Sequence, residues 1–164
     1  MKTMTAFRAA IEKAPVVPVL TVHDVSHAEP LGEALARGGL TSVEITLRTP
    51  AALEVIRRMG QMDNDLLVGA GTIISEGDDD AALKAGADFL VTPGASPLLL
   101  EALGSQDGVI LPGVSTVSGP VSFKGSALPR PAPGCCASCF PCSARPQAIR
   151  ARAQVIRCSR ISLP

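Results

Sequence analysis

The sequence is poor in aromatic residues: it has no tryptophan, no tyrosine and only four phenylalanines, which make up 2% of its 164 residues. Hydrophobic residues nevertheless account for 46% of the chain, so any core must be built mainly from alanine, valine, leucine and isoleucine. Such cores suit α/β folds. The length is sufficient for one domain with a substantial core.

Long apolar runs and early cysteines are also missing. No stretch of about 18 apolar residues is present, so a membrane span is not expected. The first 15 residues have the spacing of a short amphipathic helix interrupted by Glu12, which makes a poor secretory signal. Residues 1–134 contain no cysteine, whereas a secreted scaffold has cysteines throughout its fold. These features predict a cytoplasmic protein.

Acidic residues are absent after position 118, which divides the chain in two. All 15 Asp and Glu lie in residues 1–118 beside eight Lys and Arg, so this part carries a net charge near −7 and the remainder one near +7. Residues 119–164 contain seven Pro, six Arg and all five Cys. They form a divergent tail that we predict to be irregular, with a short basic helix possible only over residues 147–157.

Residues 14–113 alternate between short aliphatic runs and segments with helical periodicity. The strand-like runs cover residues 15–22, 42–47, 66–71, 88–94 and 108–114. Such alternation predicts a parallel sheet with right-handed crossovers, either an open doubly wound sheet or a closed barrel.

The predicted strands end in polar or glycine-containing tips. In a parallel sheet these tips lie on one face, at the carboxyl ends of the strands, where barrel active sites are assembled. The helix signals agree with this arrangement: glycines follow the runs ALAR and ALKA as C-caps, and Ser75 is a candidate N-cap. No GxGxxG or GxxxxGK[ST] motif is present, which weakens the nucleotide-binding alternatives.

The second run, VEITLRTP, combines a strand pattern with charged residues. Along a strand Glu44, Thr46 and Arg48 face one way, and the intervening aliphatic residues face the other. In a barrel the polar set would look into the lumen, where a carboxylate can move protons and an arginine can bind an anion. An internal ion pair or a solvated strand end is the alternative. His23 and His27 are interpreted as a solvated helix start.

Four motifs in this order, EITLRT, VGAGT, VTPG and LPGVST, together with VVPVL in the first strand, resemble the 2-keto-3-deoxy-6-phosphogluconate (KDPG) and 4-hydroxy-2-oxoglutarate aldolase family. The resemblance covers about residues 5–118. It implies a class I aldolase on a (β/α)8 TIM barrel, here incomplete, with about five βα units in residues 1–118 in the family register. It also implies a cytoplasmic, homotrimeric lyase of Entner–Doudoroff carbohydrate metabolism.

The family reaction is reversible cleavage of a 2-keto-3-deoxy-6-phospho sugar acid to pyruvate and glyceraldehyde 3-phosphate through a Schiff base, without a metal or other cofactor. The implied partners are pyruvate and a phosphorylated sugar acid, with no nucleic acid and no membrane. By motif, Glu44 matches the catalytic acid/base and Arg48 a substrate-binding arginine. The other implied substrate-binding residues are Thr72, Pro93, Gly113, Ser115 and Thr116.

The Schiff-base lysine of the family has no counterpart in register. The tail contains a single lysine, Lys124, which lies too early in the sequence to match. The phosphate-binding strand and the eighth strand are also not recognisable, and we attribute these departures to a reading-frame change near residue 119. Two hypotheses therefore remain open for this chain, an aldolase and a non-catalytic remnant of one.

The tail also permits a metal-binding interpretation. Cys136, Cys139 and Cys142 form CxxCxxC, with Cys135 or Cys158 as a possible fourth ligand for zinc or an iron–sulfur cluster. An incomplete barrel would expose two sheet edges and an apolar lumen, so the sequence further predicts self-association or instability.

Overall fold

The computed structural model of the protein describes residues 3–94, 96, 99, 101, 103, 108–113 and 154–157. The elements in chain order are α1 (Met4–Lys13), β1 (Val16–Leu20), a 3₁₀ turn (Val25–His27), α2 (Ala28–Arg37), β2 (Ser42–Thr46), α3 (Ala52–Gly60), β3 (Leu67–Gly71), α4 (Glu76–Lys84), β4 (Phe89–Thr92), β5 (Val109–Pro112) and β6 (Gln154–Arg157). None of the helices in this described part is long and apolar enough to cross a membrane.

The predicted caps define the helix ends. The Ser75 hydroxyl accepts a hydrogen bond from the Asp78 N–H, and the Asp78 carboxylate accepts one from the Ser75 N–H, which forms a capping box at the start of α4. Gly39 and Gly86 follow α2 and α4 with φ of +82° and +94°, a conformation that favours glycine.

The strands form one six-stranded sheet in the order β5-β4-β3-β2-β1-β6. Strands β1 to β5 are parallel and each pairs with its neighbour in sequence, whereas a doubly wound sheet reverses its order at a switch point. This order confirms the partial (β/α) barrel and decides between the two architectures that the sequence left open.

Two apolar clusters lie on opposite faces of the sheet. On the outer face α2, α3 and α4 cover side chains such as Val43 and Ile45. On the inner face α1 packs through Phe7 and Ile11 against Phe89. The second cluster closes the amino-end side of the inner face mainly with apolar residues, and Glu44 and Thr46 of this face lie in the middle and at the carboxyl end of β2.

The tail provides one strand. The sequence predicted an irregular tail with at most a short basic helix, but Gln154–Arg157 forms β6, antiparallel to β1 with Val17 opposite Ile156. The helix prediction is therefore wrong for these residues. An open β1 edge offers a row of unpaired backbone groups, and pairing with them overrides a weak local preference. The remaining tail residues, including all the cysteines, lie outside the described residues.

Because β6 covers the β1 edge, we expect truncation before Gln154 to increase self-association. The truncation would expose the backbone groups of Val16–Val19, a stretch of four apolar residues. Sedimentation velocity over a range of concentrations is the measurement. A chain that ends after Cys158 keeps β6 and is the control, and equal association of the two truncated chains would contradict the prediction.

Candidate active site

Glu44 lies in the middle of β2 with its side chain on the inner face of the sheet. It is 5% exposed, and its neighbours Val43 and Ile45 are fully buried on the outer face. The alternation predicted for VEITLRTP is therefore observed. The side chain is inside the partial barrel and is not at a solvated strand end.

Burial controls the protonation of Glu44. In register beside it are Val19 of β1 and Gly69 of β3, which have no groups that titrate. Loss of hydration raises the pKa of Glu44 to about 7, and the charge of Arg48 partly opposes this increase. Glu44 forms no ion pair within 4.0 Å among the described residues, so the internal ion pair considered from the sequence is not found there.

Arg48 lies two residues beyond the end of β2, and its side chain is exposed. It is close enough to Glu44 to lower the pKa of that carboxyl, yet it remains open to solvent at the rim. A cation in this position can bind an anion from solution and retain its own hydration until the anion arrives.

Three further predicted residues follow the ends of neighbouring strands. Thr72 comes directly after β3, Pro93 after β4 and Gly113 after β5. Because these strands are parallel, all three lie at the same end of the sheet as Arg48. The Gly113 N–H donates to the Thr92 carbonyl over 2.8 Å, and a Cβ on Gly113 would lie 2.6 Å from that same oxygen. Ser115 and Thr116 are outside the described residues.

Thr72 has a left-handed backbone, with φ of +65°. This conformation is unusual for a β-branched residue and costs on the order of 1–3 kcal/mol. Backbone strain of this kind clusters at functional sites, and here it lies at the end of the strand that pairs with the Glu44 strand.

A threonine network that was not predicted from the sequence lies at the ends of β1 and β2. The hydroxyls of Thr21 and Thr46 are 2.8 Å apart, and Thr46 also donates to the Leu20 carbonyl over 3.2 Å. The Thr49 hydroxyl donates to the Val22 carbonyl over 2.6 Å. These bonds join the end of β1 to the end of β2, the strand that carries Glu44 and leads into Arg48. Threonine at the end of a predicted strand was the only signal in the sequence.

The other candidate ligands form no site in the described part of the chain. His23 and His27 are exposed at the start of the helical segment, as predicted. No group of three His, Cys, Asp or Glu that could hold a metal occurs among the described residues. The cysteine cluster and Lys124 lie outside them.

Comparison with known proteins relates this geometry to one family. The model of the KDPG and KHG aldolases matches residues 7–122. The 2-dehydro-3-deoxy-phosphogluconate aldolase of Zymomonas mobilis is 43% identical over 105 residues, which are 64% of this chain and 50% of that protein. The KHG/KDPG aldolase of Escherichia coli is 37% identical over 114 residues, which are 70% of this chain and 54% of that protein. The chain thus spans about half the length of these relatives.

Solved structures show the same similarity. The KDPG aldolase of Zymomonas mobilis ZM4 with 3-phosphoglycerate has a TM-score of 0.70 at 37% identity, covering 77% of this chain and 60% of that one. The KDPG aldolase of Legionella pneumophila, with pyruvate captured at low pH as a covalent carbinolamine intermediate, has a TM-score of 0.68 at 35% identity. That match covers 76% of this chain and 60% of the other.

Proposed function

Since the chain belongs to the KDPG and KHG aldolase family, whose members are lyases, we propose that its strand ends form the acid/base and keto-acid-binding part of an aldolase site. The reaction is reversible aldol cleavage of a 2-keto-3-deoxy-6-phospho sugar acid or 4-hydroxy-2-oxoglutarate to pyruvate and an aldehyde. Family membership also supports a homotrimer, a cytoplasmic location and small-molecule partners.

One observation carries this proposal, the buried carboxyl of Glu44 with its pKa near 7. A group that titrates near neutral pH is present in both protonation states, so it can accept a proton in one step and return it in the next. An exposed glutamate, with a pKa near the ordinary value of 4.5, would be almost entirely ionised at neutral pH and a poor acid.

Aldol cleavage needs both proton transfer and an electron sink. A lysine amine adds to the C2 carbonyl, and loss of water leaves an iminium ion. When the C3–C4 bond breaks, the iminium nitrogen accepts its electron pair, and the C4 hydroxyl gives its proton to Glu44 as the aldehyde forms. Protonation of C3 and hydrolysis then release pyruvate. The carbinolamine captured in the Legionella relative supports this route.

Arg48 is the proposed partner for the substrate carboxylate. Its exposed guanidinium lies at the end of the sheet where Thr72, Pro93 and Gly113 also lie. A charge-assisted hydrogen bond contributes about 1.5–3 kcal/mol, so Arg48→Gln is expected to weaken pyruvate binding by roughly tenfold to a hundredfold.

A second candidate function is a non-catalytic remnant that binds an oxo acid without turnover. This candidate is based on the sequence, in which no lysine stands in the family register. Lys13 ends α1 and Lys84 ends α4, and each helix leads into the amino end of the next strand, opposite to the site. An amine for the Schiff base must therefore come from outside the described residues.

Borohydride reduction in the presence of pyruvate tests the two functions. An aldolase gives a stable adduct on one lysine, located by peptide mass mapping, and Lys124→Arg abolishes it if Lys124 is that lysine. Glu44→Gln is expected to slow adduct formation and leave pyruvate binding in place. Binding of pyruvate by calorimetry without any adduct would contradict the aldolase and establish the remnant.

A further inference from the structure

Glu44 and Thr46, two of the three polar side chains on the inner face of β2, lean in opposite directions. Thr46 turns toward β1, where its hydroxyl contacts the Thr21 hydroxyl and the Leu20 carbonyl. Glu44 turns toward β3, where its carboxyl lies against the Cα of Gly71. Since Gly71 pairs in register with Thr46, the carboxyl reaches one row nearer to the carboxyl ends than its own backbone position.

Phe89 explains why Glu44 does not lie straight across β3. Gly69 is the residue in register with Glu44, and the space over its Cα is occupied by the Phe89 ring from β4. That ring is fully buried and packs against Phe7, with ring centroids 5.0 Å apart. It forms an apolar floor on the amino-end side of the carboxyl.

The space over the Cα of Gly71 is not filled by the Phe89 ring, and the Glu44 carboxyl lies there. A Cβ at position 71 would overlap the Oε1, Cδ and Cγ atoms of Glu44, which are its three nearest neighbours. An alanine would therefore meet the whole carboxyl end of the side chain, and a small shift of one flexible atom would not relieve the overlap.

We propose that Gly71 is a positioning residue, whose bare Cα holds the Glu44 carboxyl across β3, next to Thr72 and above the Phe89 ring. The role of this location in proton transfer depends on the proposed aldolase function, whereas the location itself does not. With a side chain at position 71 the carboxyl must move toward the rim, where water and Arg48 stabilise its charge.

The test is Gly71→Ala, followed by ¹³C NMR titration of the Glu44 side-chain carboxyl, with its resonance identified by its absence in Glu44→Gln. The pKa of Glu44 is expected to fall from about 7 toward the ordinary value for glutamate. Gly60→Ala is the matched control, because a Cβ there meets its nearest atom, the Gly86 carbonyl oxygen, at 3.6 Å. An unchanged titration in a folded Gly71→Ala protein would overturn the proposal.

If Gly71→Ala does not fold, Glu44→Ala combined with Gly71→Ala decides the matter. The double variant removes the proposed overlap, so it is expected to be as stable as Glu44→Ala alone. If the double variant remains unfolded, the alanine at position 71 overlaps atoms other than those of Glu44, and the proposal is overturned. Neither readout depends on turnover, so failure to form a pyruvate adduct would reject the aldolase function and leave this result standing.

Discussion

Replacing Glu44 by glutamine is expected to stabilise the folded protein by about 3 kcal/mol at pH 8, and to have little effect at pH 4. The figure follows from the difference between a folded pKa of about 7 and the ordinary value of 4.5, at about 1.4 kcal/mol for each pH unit. Burial in the partial barrel is the cause, because it favours the neutral carboxyl.

The direction of the pH dependence follows from proton binding. Below pH 4.5 Glu44 is protonated in both states and adds no pH dependence. Between pH 4.5 and 7 the unfolded chain has lost the proton that the folded chain still holds, so the free energy of unfolding falls as the pH rises. Above pH 7 both states are ionised and the full penalty is present.

Urea unfolding of both proteins at several pH values between 4 and 8 measures this effect. Groups other than Glu44 contribute equally to both proteins, so the difference between their unfolding free energies isolates the one carboxyl. Arg48→Gln is a useful companion, because removing its charge is expected to raise the pKa of Glu44 further and to widen the difference. Parallel pH profiles for the wild type and Glu44→Gln would contradict the burial argument.

Phe89→Ala is expected to destabilise the protein by about 3–5 kcal/mol, the largest loss we predict for a single substitution. The ring is fully buried, and truncation removes both its transfer free energy and its packing with Phe7. The cavity would lie over Gly69, on the side of the sheet where Glu44 is buried.

Coupling between Phe89 and Gly69 distinguishes this packing from a general loss of hydrophobic surface. Alone, Gly69→Ala is expected to cost about 1–3 kcal/mol, because its Cβ would overlap the ring. In a Phe89→Leu or Phe89→Ala background the same Cβ meets a smaller side chain, so the cost is expected to disappear. Denaturant unfolding of the four proteins of this cycle gives the coupling energy, with Gly60→Ala as the control. Additive effects would show that the glycine and the ring act independently.

The parallel sheet was predictable because each strand carries its own signal. Runs such as SVEITL and LLVGAG are short, β-branched or aliphatic, and separated by segments with helical period, so the local pattern is enough to place them. The caps at Ser75 and Gly86 were predictable for the same reason, since each depends on a few adjacent residues.

The sequence was sufficient to predict where the candidate site residues lie on the strands, but it was not sufficient to predict which atoms they contact. Alternation on β2 was sufficient to place Glu44 on the inner face, and the order of the motifs was sufficient to place Thr72, Pro93 and Gly113 at one end. The roles of these residues remain predictions. The glycines of VGAG were interpreted only as a strand tip, because the space above a glycine is filled from another strand, and that neighbour is invisible in the local sequence.

The sequence by itself determined which residues form strands β1 to β5, which face of β2 carries the charged side chain, and the family to which the chain belongs. Only the tertiary structure decided that Phe89 fills the space over Gly69, that Glu44 lies over Gly71 with a raised pKa, and that Gln154–Arg157 pairs with β1. The physical reason is the separation along the chain over which each effect acts. Strand propensity and alternation depend on neighbours within a few residues, whereas desolvation, overlap and edge pairing depend on atoms that the chain brings together from distant positions.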